Sequence, residues 1–218
     1  MPARYDLLVF DWDGTLMDST ATIVSALQLA FEEIGKPAPS AQQARHVIGL
    51  GLSEAMQYLD NSLTAEDLRG VVDAYRHHYL AQDGRITLFD GVAEALDRYR
   101  QAGFWLAVAT GKSRRGLDRV LEVTGLGDVF DITRCADETF SKPHPEMLEQ
   151  IMGYTGVAPE RTLMVGDTTH DLQLARNARA DGFAVSYGAH PLDELLACEP
   201  VGHAATFMEL DVWLSLNA

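Results

Sequence analysis

Residues 5–10 (YDLLVF) form a short, nearly continuous apolar run that stops at Asp11-Trp12-Asp13-Gly14. A run of that length, ended by turn residues, suits a strand buried on both faces of a parallel sheet. Three later segments repeat the shape: 104–109 (FWLAVA), 162–165 (TLMV) and 182–185 (GFAV). Between them lie helical patterns over 92–101, 113–123, 145–154 and 171–178. Strands alternating with helices predict an α/β fold with a parallel sheet. A closing amphipathic helix is predicted over 206–216.

The stretch 16–86 breaks this rhythm. It reads as helix after helix, over 19–34, 41–47, 53–60 and 66–81, with Gly35-Lys36-Pro37-Ala38-Pro39 and Gly49-Leu50-Gly51 as separators. An all-helical block placed after the first strand predicts a second, smaller domain. A formal net charge of −15 argues against nucleic acid or an anionic membrane as partner, because both reward lysine and arginine. A small anionic substrate stays open, since a bound cation reverses the local field. The N-terminus lacks the apolar stretch of a signal peptide, and no run reaches the length of a membrane span. Cys135 and Cys198 match no metal spacing and read as reduced thiols, so a cytoplasmic protein is expected, monomer or homodimer.

Ligands of an open parallel sheet bind beyond the carboxyl ends of its strands. There the chain places Asp11 and Asp13, then Thr110-Gly111-Lys112-Ser113, then Gly166-Asp167 with Asp171, while Ser141-Lys142-Pro143 precedes a nearby helix. Asp11 and Asp13, two apart on an extended chain, point to the same side. Like charges about 4–5 Å apart repel by roughly 3–4 kcal/mol at an effective dielectric near 20. Such a cluster needs a cation or a proton, and an all-oxygen donor set favours Mg²⁺, with Mn²⁺ or Ca²⁺ possible. One carboxylate can then attack phosphorus, a second can protonate the leaving alkoxide, and a hydroxyl and a lysine can hold the phosphoryl oxygens. Gly111-Lys112-Ser113 is not the end of a P-loop, because Leu106 stands where that motif needs glycine. Asp11-x-Asp13 does not open an EF-hand, whose sixth and twelfth positions would here be Leu16 and Thr22.

Taken in order, these residues resemble the haloacid dehalogenase superfamily. Asp11-Trp12-Asp13-Gly14-Thr15-Leu16-Met17-Asp18-Ser19 is similar to its first motif, Thr110 to its second, Lys142 in SKPHPE to its third, and Gly166-Asp167-Thr168-Thr169-His170-Asp171 to its fourth. The resemblance implies a Rossmann-like core, 1–15 and 87–218, with a helical cap, 16–86. It also implies Asp11 as nucleophile and Asp13 as general acid and base. Mg²⁺ would be held by Asp11, the Asp13 carbonyl and Asp167, with Asp171 in or beside the shell. Thr110, Gly111 and Lys142 would bind the phosphoryl group. Phosphoglycolate phosphatase-like members are the nearest in pattern. Two departures stand out. Arg179 follows Ala178 where glycine is common, implying a slightly different turn, and Asp90 precedes Gly91 in place of proline.

The implied activity is hydrolysis of a small phosphorylated substrate, phosphoglycolate-like or a sugar phosphate. A phosphomutase would use the same core residues, and a catalytically silent binding protein would have lost one of them. A dehalogenase proper has no need of Asp13 or Mg²⁺. Specificity is expected from the cap, with residues 45–51 as the contact region. His77-His78 is read as structural or exposed, and two of Lys112, Arg114 and Arg115 as solvated.

Overall fold

The computed structural model of the protein describes residues 4–82, 84 and 86–218. Residues 1–3 of the expected core and residues 83 and 85 of the expected cap lie outside the described residues. Among the described residues six strands form one sheet: β1 (Leu7–Phe10), β2 (Trp105–Thr110), β3 (Ile132–Cys135), β4 (Thr162–Gly166), β5 (Asp181–Val185) and β6 (Gly202–Ala204). Their order is β3-β2-β1-β4-β5-β6 and every neighbouring pair is parallel. The order reverses beside β1, where Phe10 lies level with Val108 of β2 and Val165 of β4. A crevice therefore opens beyond the end of β1.

The apolar run of β1 is explained by burial on both faces. Leu8 and Phe10 join a core cluster with Leu106, Val108, Leu163 and Val165, whereas Leu7 and Val9 join another with Ala107, Met164, Ile151 and Leu174. Helices α5 (Val92–Gln101), α6 (Arg114–Thr124), α7 (Glu146–Thr155), α8 (Thr169–Asn177), α9 (Leu192–Leu196) and α10 (Phe207–Asn217) complete the layers around the sheet. Ser113, Thr168 and Thr206 start three of them by accepting N–H bonds from the first turn. The sequence pattern does not announce β3, β6 or α9. The two strands are short edge strands of mixed polarity, and five residues are too few to show a helical period.

The helical block is present as α1 (Thr20–Glu33), α2 (Ala41–His46), α3 (Leu52–Leu59) and α4 (Ala65–Gln82). Helix α1 packs on α2 and α4, and α3 packs on α4. The chain leaves the sheet and returns to it at adjacent points: Asp18 N–H donates to the Thr87 carbonyl at 2.9 Å, and Phe89 N–H to the Leu16 carbonyl at 3.0 Å. His78 sits 2.7 Å from Glu33 and His77 is exposed, as expected of a structural pair. Cys135 and Cys198 are free thiols. Among the described residues no helix is long and apolar enough to cross a membrane.

The turn after α8 corrects one expectation. Arg179 adopts φ 63°, the left-handed turn that glycine takes after a helix, so the turn is the common one built with a strained residue. Arg179→Gly should therefore stabilise the protein by about 1 kcal/mol and raise Tm by about 2–4 °C, as read by calorimetry. A lower Tm would mean that the Arg179 side chain contributes more than its backbone costs. Gly91, after Asp90, has φ 84° and starts α5.

Candidate active site

The three central strands each deliver one polar residue to the crevice. Asp11 follows β1, and its N–H bonds the Val165 carbonyl at 2.9 Å. Thr110 ends β2, and Asp167 follows β4. Asp11, Asp167 and Asp171 are fully buried, and one carboxylate oxygen from each lies within 4.8 Å of the other two. Asp167 is held by the Thr15 hydroxyl at 2.8 Å and the Ala189 N–H at 2.7 Å. Asp171 accepts from Thr168 N–H and its hydroxyl through one oxygen and from Lys142 at 2.6 Å through the other. Neither oxygen of Asp11 accepts a hydrogen bond among the described residues, although Lys142 Nζ stands 2.9 Å from Oδ1.

These placements determine the charges. Burial pushes the Asp11 carboxyl up to about 7; Lys142 pulls it down, while Asp171 and Asp13 add to the rise. Burial, then repulsion from Asp11 and Asp171, raises Asp167 well above the usual carboxylate range. Burial opposes the charge on Lys142, but Asp11 and Asp171 outweigh it and hold the ammonium above the ordinary lysine range. One lysine cannot neutralise three carboxylates. A buried carboxylate with one oxygen unpartnered and the other facing only Lys142, beside two more carboxylates, fits a hard divalent cation.

Asp13 is positioned differently. Its Oδ1 accepts from the Ser19 hydroxyl at 2.6 Å, and its Oδ2 pairs with Lys112 Nζ at 3.0 Å. Lys112 also donates to the Tyr79 hydroxyl at 3.1 Å and lies 4.8 Å above the Tyr79 ring. An ion pair and a cation–π contact thus tie the sheet edge to α4. Burial works against the Lys112 charge, yet Asp13 and then Tyr79 keep it above the ordinary lysine range. The expectation for the basic trio separates here: Arg115 is exposed and half-buried Arg114 pairs with Glu138, but Lys112 is part of the site.

Above these groups lies a cavity of about 730 Å³, lined by Asp11, Asp13 and Thr110 below and by α1, α4 and residues 47–55 above. Of the expected contact region 45–51, residues 47–51 line the cavity, whereas Arg45 and His46 belong to α2 and do not. A Cβ on Gly111 would stand 2.5 Å from the Gly49 and Leu50 carbonyls, so only glycine admits that approach. His46 is held from below, its carbonyl accepting from His170 Nε2 at 2.9 Å and His190 Nε2 at 3.2 Å. Every site residue predicted from the sequence, Asp11, Asp13, Thr110, Gly111, Lys142, Asp167 and Asp171, lies in or against this crevice.

Sequence reasoning missed Thr15 and Ser19 as supports, although both lie in the first motif. It also missed Gly188, where a Cβ would collide with Asp167, and Tyr79, which looks like any apolar position of a helix.

The sequence profile of the haloacid dehalogenase-like hydrolases matches residues 8–185. The chain is 37% identical to "Probable phosphatase IndB" of Dickeya dadantii, over 94% of this chain and 91% of that one. It is 34% identical to "Tyrosine-protein kinase PtkA" of Mycobacterium tuberculosis, over 94% of this chain and 70% of that one. It is 32% identical to "Phosphoglycolate phosphatase" of Vibrio parahaemolyticus, over 94% of this chain and 93% of that one. In fold it is similar to a hydrolase from Pseudomonas syringae, with a TM-score of 0.90 at 21% identity, covering 98% and 99% of the two chains.

Proposed function

This chain belongs to the haloacid dehalogenase-like hydrolases, and from that premise we propose that it is a Mg²⁺-dependent phosphatase of small phosphate monoesters acting through an aspartyl phosphate on Asp11. The observation that carries the reading is the buried Asp11 carboxylate, whose Oδ1 faces only the Lys142 ammonium at 2.9 Å and whose Oδ2 has no partner among the described residues. Asp11 attacks phosphorus, forming its own O–P bond as the ester P–O bond breaks. Asp13 passes the proton of a monoanionic ester to the departing alkoxide, then takes one from the water that attacks the acyl phosphate and frees Asp11, and yields it to the released phosphate. Ser19 and Lys112 hold Asp13 in place for both transfers. The Thr110 hydroxyl, the Gly111 N–H and the Lys142 ammonium bind the phosphoryl oxygens.

Asp11, the Asp13 carbonyl and Asp167 would hold Mg²⁺. Asp171, whose two oxygens already serve Lys142 and Thr168, stands beside that shell. When bound, the cation neutralises the carboxylates and polarises the phosphoryl group. Residues 16–86 act as the cap and 1–15 with 87–218 as the core. The adjacent strands of chain at Leu16–Asp18 and Thr87–Phe89 are the hinge. Cap closure excludes water from the acyl phosphate.

Phosphate release from a panel of monoesters with Mg²⁺ tests the class; no release from any member would exclude it. The metal has a test of its own. Mg²⁺ at about 100 times its Kd should raise Tm by about 5–10 °C, and EDTA should reverse this and stop turnover. At a fixed Mg²⁺ concentration the gain should grow between about pH 4 and pH 8, because the cation must displace the Asp11 proton at the lower pH. With Asp11 raised to about 7, the cation-free fold keeps a proton that the unfolded chain has lost. Its stability is full below the usual carboxylate pKa and falls as the pH rises through about 7. A bound cation removes that loss. A Tm indifferent to Mg²⁺ at every pH would sink the metal site.

A further inference from the structure

The cavity is larger and less polar than a two-carbon acid phosphate requires. Sites of roughly 300–1,000 Å³ enclose whole organic ligands, and this one holds about 730 Å³. Asp11, Asp13, Lys112 and Thr110 occupy the floor. The opposite wall is largely apolar, built from Ile23 and Leu27 of α1, Val47, Ile48 and Leu50 of the loop, and Leu80 of α4, with the exposed Ser53, Glu54 and Arg76 also on the lining. Tyr75 and Tyr79, one turn apart on α4, line the same space with their rings stacked at 5.8 Å and 28°. Tyr79 is engaged by Lys112. The Tyr75 hydroxyl makes no hydrogen bond to the described residues, so its ring and its O–H remain for a ligand.

The charges point the same way. Lys112, the cation nearest Asp13, is bound to Asp13 and Tyr79. A carboxylate on a short leaving group would have to compete for it beside Asp13, against like charge. The cavity's other cations, Arg76, Arg115 and Arg119, are exposed. We propose that the alcohol released is uncharged and carries an apolar or planar ring, seated on Tyr75 and against Ile23 and Leu27. This rests on the phosphatase reading above and names the substrate class for the same site.

The test compares kcat/KM with Mg²⁺ for 2-phenylethyl phosphate, ethyl phosphate and phosphoglycolate. The first two share leaving-group chemistry and differ in the ring. The ring-bearing ester should exceed both others by about tenfold or more, the scale of one buried aromatic contact with its apolar area. Tyr75→Ala should cut the ratio of 2-phenylethyl to ethyl phosphate by about tenfold. Tyr75→Leu, which leaves a larger apolar side chain than alanine but removes the planar face, should lower the same ratio and decides the matter if the alanine variant does not fold. Preference for phosphoglycolate, or an unchanged ratio in the folded variant, overturns the inference and leaves the phosphatase reading standing. Release from none of the three overturns that reading, and the inference with it.

Discussion

Asp11→Asn should reduce phosphate release by about 10³-fold or more while leaving the fold intact. The amide keeps the shape of the carboxylate at the end of β1 but cannot attack phosphorus. The fold should not suffer, because the replaced group is a fully buried carboxylate without a hydrogen bond. In EDTA near neutral pH the variant should melt at or above the parent temperature, since burial disfavours the lost charge. Acid quenching after mixing with a ³²P-labelled ester should trap label on the parent protein and none on the variant. Retention of even a tenth of the activity would remove Asp11 from the nucleophile's role.

Lys142→Met should be the most destabilising single change in the site. The Lys142 side chain is wholly buried and bridges Asp11 at 2.9 Å and Asp171 at 2.6 Å. Removing one partner of a buried ionic cluster costs about 3–5 kcal/mol, because the remaining charges stay uncompensated. Turnover should fall by about 10²–10³-fold, as when a donor to a developing oxyanion is lost. Denaturant unfolding with and without Mg²⁺ separates the two roles: the cation should restore part of the stability and little of the rate. The double variant Asp11→Asn, Lys142→Met should be less damaged in stability than the sum of the singles, since a neutral amide in place of the Asp11 carboxylate leaves less negative charge to compensate. Simple additivity would show that the two side chains do not interact.

Much of this architecture was legible in the chain. The run YDLLVF reads as a strand buried on both faces, and Leu7 to Phe10 do divide between two cores. The helical block stood out because four amphipathic segments in succession leave no strand pattern between them. The edge strands β3 and β6 did not, because one exposed side and three or four residues give no period. Arg179 shows the reverse case, where the local signal suggested a different turn and the packing of Ala178 and Ala180 kept the common one.

The site divides along the same line. Asp11, Asp13, Thr110, Lys142, Asp167 and Asp171 were identifiable from residue type and order, because each falls just at or after a strand end, in the turn before a helix or, for Asp171, in the first turn of one, and local chain geometry delivers it there. Only the tertiary structure made Lys112 a partner of Asp13 rather than a surface lysine, since that depends on α4 bringing Tyr79 from more than thirty residues away in the chain. The same holds for Gly188 beneath Asp167, for Gly111 against the 49–50 carbonyls, and for the apolar wall over the carboxylates. Strand ends and caps follow from neighbours along the chain. Which cation is free, which carboxylate is unbonded and what shape of leaving group fits depend on distances between segments far apart in the chain, and no local pattern encodes them.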